Sequence, residues 1–229
     1  MTSDSKRAVI VAGGGSKQAE SWYYISELLS PDDFLIAVNG GTSVLFELNL
    51  QPDVVIGDLD SLPESEKRLL HDADNPPQIL TFPPDKDKTD TELAVRYLLD
   101  SPCPPDEIVI CEALGGRLDH ELALLFYAAS LTVNEGVKIS LTDGNQQVFC
   151  ITESAEVAGE RGQTVSFIPL TPKVTNVYLK GFAYPLSGGT LHWGQTLGVS
   201  NVLSEPPGRV NIRGEGLLLA VTQLKQVDN

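Results

Sequence analysis

Three short runs in this 229-residue chain set carboxylates beside basic or glycine residues: Gly57-Asp58-Leu59-Asp60-Ser61, Asp85-Lys86-Asp87-Lys88-Thr89-Asp90 and Gly115-Gly116-Arg117-Leu118-Asp119-His120. Each falls where a predicted strand gives way to a loop or helix, the rim of an α/β sheet at which ligands bind. Carboxylates gathered there repel one another unless a cation neutralises them. Mg²⁺ suits such a site, because it takes a few carboxylates and completes its shell with phosphate oxygens. The chemistry these residues suit is metal-assisted phosphoryl transfer.

In extended backbone Asp58 and Asp60 share one face and Leu59 takes the other, so both carboxylates reach one divalent ion. A turn is the competing account, with Ser61-Leu62-Pro63-Glu64 as a helix capping box. In the second run Thr89 and Glu92 form a capping box, and Leu93, Tyr97 and Leu98 supply the buried stripe of the helix that follows. Asp90 then sits in the first turn, where the helix dipole favours a negative charge, and this explains Asp90 as well as catalysis does. Lys86 and Lys88 beside a helix N-terminus make a ready phosphate site. Their alternative role is to neutralise Asp85 and Asp87.

The third run opens a helix near Arg117, because Leu118, Leu122, Leu125, Phe126 and Ala129 keep helical spacing. Gly115 and Gly116 just before it let a ligand approach backbone N–H groups. Arg117 is suited to clamp a phosphate bidentately, or else to pair with a neighbouring acid at the surface. Asp119 faces away from the leucine stripe, as a direct or more distant metal ligand or as a first-turn charge. His120 has no Ser or Cys nearby in sequence to activate, so it orients neighbours.

The elements that must position these residues alternate between two types. Ala8–Ala12, Phe34–Val38, Asp53–Ile56, Gln78–Phe82, Glu107–Cys111 and Val137–Leu141 read as strands, and a helix is expected from about Lys17 to Leu29. Continuous Val/Ile/Leu runs separated by helices predict a mostly parallel, Rossmann-like sheet covered on both faces, over residues 1–143. After Thr142-Asp143-Gly144-Asn145 helical periodicity stops. Strands are expected at Thr164–Ile168, Thr175–Leu179, Thr190–Trp193, Arg209–Ile212 and Leu217–Thr222, with a hairpin turn at Arg213-Gly214-Glu215-Gly216. Residues 144–229 are therefore expected to form an all-β domain, a sandwich or a barrel.

A formal charge of −15 argues against nucleic acid or an anionic membrane as partner. The three cysteines, Cys103, Cys111 and Cys150, are odd in number and lack metal-ligand spacing, which points to free thiols in a reducing cytoplasm. No signal peptide or membrane span is expected.

Taken in order, Gly57-Asp58-Leu59-Asp60-Ser61, Asp87-Lys88-Thr89-Asp90, Gly115-Gly116-Arg117-Leu118-Asp119-His120 and the later Gly198-Val199-Ser200-Asn201 closely resemble the thiamin pyrophosphokinase family. The resemblance implies an N-terminal α/β domain, a C-terminal β-sandwich and a homodimer with active sites between subunits. It implies transfer of the terminal diphosphate of ATP to the hydroxyl of thiamin, giving thiamin diphosphate and AMP. By position, Asp58, Asp60 and Asp90 look like Mg²⁺ ligands with Asp119 close by. Lys88, Thr89, Gly115, Gly116 and Arg117 look like the phosphate site, while Ser200 and Asn201 look like the edge of the thiamin pocket. Two departures stand out: many relatives carry Asp where this chain has Asn39, and some carry a neutral amide where it has Lys86.

In such a reaction negative charge spreads over phosphoryl oxygens, so positioning and electrostatics dominate. Asp90 or Asp119 would take the hydroxyl proton. Trp193 is a candidate platform for the thiazolium ring, although a Trp in a β domain is more often core. Other readings keep the scaffold but change the acceptor to another alcohol such as a pterin, or make the chain a sensor of nucleotide or thiamin without catalysis.

Overall fold

The computed structural model describes residues 7–15, 19–59, 62–72, 75–83, 85 and 87–224. Two compact units divide the chain: Met1–Ala128 with Val137–Gly144, and Ala129–Gly136 with Asn145–Asn229. Among the described residues no helix is long and apolar enough to cross a membrane.

The first unit alternates strands and helices: β1 (Arg7–Val11), α1 (Ala19–Leu28), β2 (Phe34–Val38), α2 (Gly41–Glu47), β3 (Val54–Ile56), α3 (Glu64–Asp72), β4 (Gln78–Leu80), α4 (Asp90–Leu99), β5 (Glu107–Cys111), α5 (Leu118–Glu135) and β6 (Lys138–Thr142). Its strands pair in the order β6-β5-β1-β2-β3-β4, every pair parallel. The apolar runs are continuous because both faces are buried. Val9, Val11, Ala37, Val55, Val109 and Cys111 join one core cluster with Ile25 of α1, Val44 and Leu45 of α2, Leu62 just before α3 and Leu70 on it. The alternate residues Ile10, Ile36, Ile56 and Ile108 are equally buried, and α4 contacts β1, β2 and β3. Each such isoleucine contributes roughly 1.5–3 kcal/mol on leaving water.

One helical expectation changes. On α4 the buried residues are Ala94, Val95 and Leu98. Leu93 and Tyr97 are only half-buried, and the Tyr97 hydroxyl donates to Gln78 Oε1 at 2.9 Å. On α5 the row that marks the helix is unevenly covered: Leu118, Leu122 and Phe126 are 67%, 45% and 57% exposed, Leu125 is half-buried and Ala129 is buried. Periodicity identifies a helix but does not say which of its sides is covered.

The second unit contains β7 (Gln146–Ile151), β8 (Ser154–Val157), β9 (Thr164–Pro169), β10 (Lys173–Lys180), β11 (Leu186–His192), β12 (Asn201–Val202), β13 (Gly208–Ile212) and β14 (Leu218–Gln223). Antiparallel pairings link β12-β9-β14-β7 in one sheet and β11-β10-β13-β8 in another. Alternate residues of both meet in one cluster that includes Val165, Phe167, Val174, Leu179, Val210, Leu218 and Ala220. The Phe167 and Phe182 rings meet edge to face, with centroids 5.2 Å apart.

The segment 213–216 is not a hairpin turn. β13 pairs with β10 and β8, whereas β14 pairs with β7 and β9, so the chain changes sheets there. It is tied to β10 instead: Thr175 N–H donates to Glu215 O at 3.0 Å, and Glu215 N–H donates to Thr175 Oγ1 at 3.1 Å. A side chain at Gly214 would collide with Thr175.

Candidate functional site

A cleft of about 740 Å³ opens in the first unit. Its walls come from the residues that follow three strands: Ala12, Gly13 and Gly14 after β1, Asn39 and Gly40 after β2, and Glu112, Ala113, Gly116 and Arg117 after β5. Chain order turns back at β1, which pairs with β2 on one side and β5 on the other. Such a switch point separates the loops that leave neighbouring parallel strands and makes a crevice at their carboxyl ends. Gly116 keeps the crevice narrow, because a Cβ there would collide with Gly14 O.

The start of α4 forms another wall, through Lys88, Thr89, Asp90, Thr91 and Glu92. The capping geometry expected at Thr89 is present: its hydroxyl accepts from Glu92 N–H at 3.2 Å while its backbone is extended. That cap directs the first turn of α4 into the cleft. Lys88 Nζ lies 4.0 Å from Glu92 Oε1 and is half exposed, a pairing too loose to immobilise it.

Asn39 joins the first two acidic runs. Its backbone, in left-handed conformation at φ 49°, donates N–H to Ile56 O at 3.0 Å, so it abuts the strand end that leads to Gly57 and Asp58. Its side-chain Nδ2 donates to Asp90 Oδ2 at 2.8 Å across 51 residues of sequence. Asp58 is exposed just past Gly57, and Asp90 is half-buried. Asp60, Ser61 and Lys86 lie outside the described residues, as does the Ser61 half of the capping box expected before α3.

In the third run Arg117 and Asp119 pair with each other. Arg117 Nη2 and Nε donate to the two Asp119 carboxylate oxygens at 2.6 and 3.2 Å, both side chains being largely exposed. This hydrogen-bonded pair raises the Arg117 pKa and holds the Asp119 carboxyl below its usual range. Gly116 N–H, expected to face a phosphate, donates to Glu121 Oε1 at 2.6 Å, a carboxylate taking the place of an anionic ligand. Arg117, His120 and Glu121 line the cleft, whereas Asp58, Gly115 and Asp119 are not among its lining residues.

Sequence reasoning passed over several cleft residues. Gly13 and Gly14 were visible as a glycine run directly after a buried strand, the usual place for close ligand approach. Glu112 gave no such signal: it is buried, and its left-handed backbone at φ 55° appears only in the fold.

In the second unit Trp193 is 76% exposed, so its core assignment is overturned. It lies just past the end of β11, and its N–H donates to Pro172 O. Ser200 is exposed with φ 58°, and its N–H donates to Ser166 Oγ at 3.0 Å. Asn201 is buried at 4% exposure. Its Oδ1 accepts from Tyr184 N–H and Val202 N–H at 3.0 and 2.9 Å, and its Nδ2 donates to Tyr184 O at 2.8 Å. The amide is thereby committed to holding the Tyr184 segment.

The fold and cleft together define an α/β protein with a ligand crevice at the switch point of a parallel sheet, with a second unit built mainly of antiparallel strands. Residues 25–141 match the family model of the thiamin pyrophosphokinase catalytic domain, and residues 151–215 match that of the thiamin pyrophosphokinase vitamin B1 binding domain. A thiamine pyrophosphokinase of Bacillus subtilis is 33% identical over 190 residues, covering 81% of this chain and 85% of that relative. The crystal structure of the Bacillus subtilis thiamine pyrophosphokinase superposes with a TM-score of 0.84 at 27% identity, covering 96% of this chain and all of the other. The thiamin pyrophosphokinase from Candida albicans shares the fold with a TM-score of 0.74 at 15% identity, covering 96% of this chain and 89% of its own. The chain belongs to the thiamin pyrophosphokinase family. It is a transferase of the kinase type.

Proposed function

We propose that this protein is a Mg²⁺-dependent thiamin pyrophosphokinase that uses ATP. The observation that supports this most is the cleft at the carboxyl ends of β1, β2 and β5, with Lys88, Asp90 and Arg117 on its walls, in a chain matched in order by both domain models of the family. In this reading residues 1–143 form a Rossmann-like catalytic domain and residues 144–229 a β-sandwich that binds thiamin.

Thiamin's hydroxyl oxygen attacks the β-phosphorus of ATP. The bond to the oxygen bridging the α- and β-phosphorus breaks, AMP leaves with its electron pair, and the hydroxyl proton passes to water. Lys88 and Arg117 hold the phosphoryl oxygens on which charge accumulates, each at a value of about 10²–10³ in rate. Asp119 orients Arg117, because a carboxyl with a lowered pKa is a weak proton acceptor. Thr89 caps the helix that presents Asp90, and Gly116, with Gly115 before it, lets backbone form the cleft wall on which the phosphates would lie.

The donor set fits Mg²⁺. Carboxylate oxygens are the hard donors that Mg²⁺ prefers, with water and phosphate oxygens completing its shell. Asp58, Asp60 and Asp90 would hold it: Asp90 accepts from Asn39 Nδ2, and Asp58 follows the strand end that Asn39 abuts. Bound there, the ion would neutralise charge on the diphosphate.

Ser200 and Asn201 shape the edge of the thiamin pocket, Asn201 by fixing the Tyr184 segment. Exposed Trp193 offers its ring face to the thiazolium. The apolar row Leu118, Leu122 and Phe126 on α5 supports a homodimer in which a second copy covers it. Three free cysteines suit a reducing cytoplasm.

The test is acceptor-dependent turnover with ATP, comparing thiamin with hydroxymethylpterin, in the wild type and in Asp90→Asn. Thiamin should be the accepted alcohol. The variant should fold, by circular dichroism, and lose at least about 100-fold in kcat. Preference for the pterin, or near-normal turnover by Asp90→Asn, would sink the reading.

A further inference from the structure

We propose that Glu121 is a built-in competitor for the nucleotide phosphates: its carboxylate fills the anion position at the start of α5, and its charge sets how tightly ATP binds. The inference rests on the reading of the cleft as the site of ATP.

The start of α5 offers two groups suited to an anion, and this chain's own carboxylates meet both. Arg117 Nη2 donates to Asp119 Oδ2 at 2.6 Å, and Gly116 N–H donates to Glu121 Oε1 at 2.6 Å. The two contacts differ in kind. Arg117 and Asp119 are both largely exposed, and Asp119 does not line the cleft. Glu121 is half-buried and does line it, together with Gly116, Arg117, His120 and Lys88. Its backbone N–H donates to Arg117 O at 3.0 Å, which places it one turn into the helix. From there the side chain folds back over that turn to reach Gly116, five residues earlier. Gly116 packs so close to Gly14 O that a Cβ would collide with it. The N–H and the carboxylate on it therefore sit where the crevice is narrow.

A carboxylate at this point has an electrostatic consequence. Backbone N–H groups and the dipole at a helix N-terminus favour a negative charge. A phosphate oxygen arriving at Gly116 must displace Glu121, losing a charge-assisted bond, or stay beside it against like-charge repulsion. Either way the carboxylate weakens the nucleotide, and it does so through the phosphates rather than the base or ribose. The opposing account is a helix cap. A Glu that reaches back to a backbone N–H before the helix resembles the capping box, in which Gln serves as well as Glu. A cap needs an acceptor oxygen; a competitor needs the charge.

Glu121→Gln separates the two, because it keeps the oxygen and removes the charge. Calorimetric titration in Mg²⁺ measures affinity for a non-hydrolysable ATP analogue and for adenosine, with folding checked by circular dichroism. The variant should bind the analogue about 3- to 10-fold more tightly than the wild type, the scale on which one charge acts at a partly exposed helix N-terminus. Adenosine affinity should stay the same. The gain should shrink at high salt, which screens charge and leaves packing untouched. Analogue affinity equal to that of the wild type, or weaker, overturns the inference, as does an equal gain for adenosine. Should Glu121→Gln fail to fold, Glu121→Ala is read in the same way, and failure of both to fold overturns the competitor in favour of the cap. A wild type that does not bind the analogue overturns the ATP reading itself, a result distinct from the others.

Discussion

Replacing Asn201 by alanine removes three hydrogen bonds from one buried amide. Tyr184 N–H and Val202 N–H lose their acceptor, and Tyr184 O loses a donor at 2.8 Å. Each such bond contributes about 0.5–1.5 kcal/mol net, and more when a buried partner is left unsatisfied. Tyr184 is well exposed, so water reaches part of its freed backbone and the low end applies there. The sum is about 2 kcal/mol. At 2–4 °C per kcal/mol for a chain of this size, the melting temperature should fall by roughly 4–8 °C. Differential scanning calorimetry reads this, and thiamin affinity measured well below the transition should weaken because the Tyr184 segment is no longer tethered. A melting temperature within about 1 °C of wild type would refute the reasoning, because a drop of 2 kcal/mol cannot be hidden at that scale.

Removal of Arg117 should release the Asp119 carboxyl upward, toward the ordinary carboxylate range. In the wild type its lowered pKa contributes stability that is present above the unfolded value and lost as pH falls through the folded one, so Arg117→Ala should flatten the acid limb of the melting profile. Both groups are exposed, so the loss, which falls at neutral pH, and the flattening with it should be slight, while the KM for ATP rises. The Cys111 thiol, pushed up to about 12 chiefly by burial, should resist iodoacetamide in the native protein, whereas exposed Cys103 is labelled quickly; mass spectrometry of peptides finding Cys111 labelled as fast would contradict its burial. Phe126→Glu should shift sedimentation toward the monomer, and an unchanged dimer would remove α5 as the covered face.

The sheet of the first unit was legible because parallel strands are buried on both faces. Runs such as Phe34–Val38 and Glu107–Cys111 announce themselves and coincide with β2 and β5. The second unit was harder. Gln146–Ile151 opens on two polar residues, Ser154–Val157 is short, and Ser187-Gly188-Gly189 hides the first half of β11. The buried face was misjudged on α4, where Leu93 and Tyr97 are only half-buried, since an apolar row has the same period whether it is covered or bare. At the site, residue types pointed to the three acidic runs, but the contact between Asn39 and Asp90 spans 51 residues and no local pattern encodes it. The exposure of Trp193 was invisible for the same reason: burial is decided by which loop carries the ring, not by its chemistry.

The central claim is that a diphosphate, not a single phosphoryl group, passes from ATP to thiamin. Incubation with [γ-³²P]ATP, thiamin and Mg²⁺, followed by chromatography of both products, tests it directly. The account predicts label in thiamin diphosphate and one AMP formed for each, with neither product when thiamin or Mg²⁺ is withheld. Release of ADP with labelled thiamin monophosphate, or AMP formed at the same rate without thiamin, would contradict it.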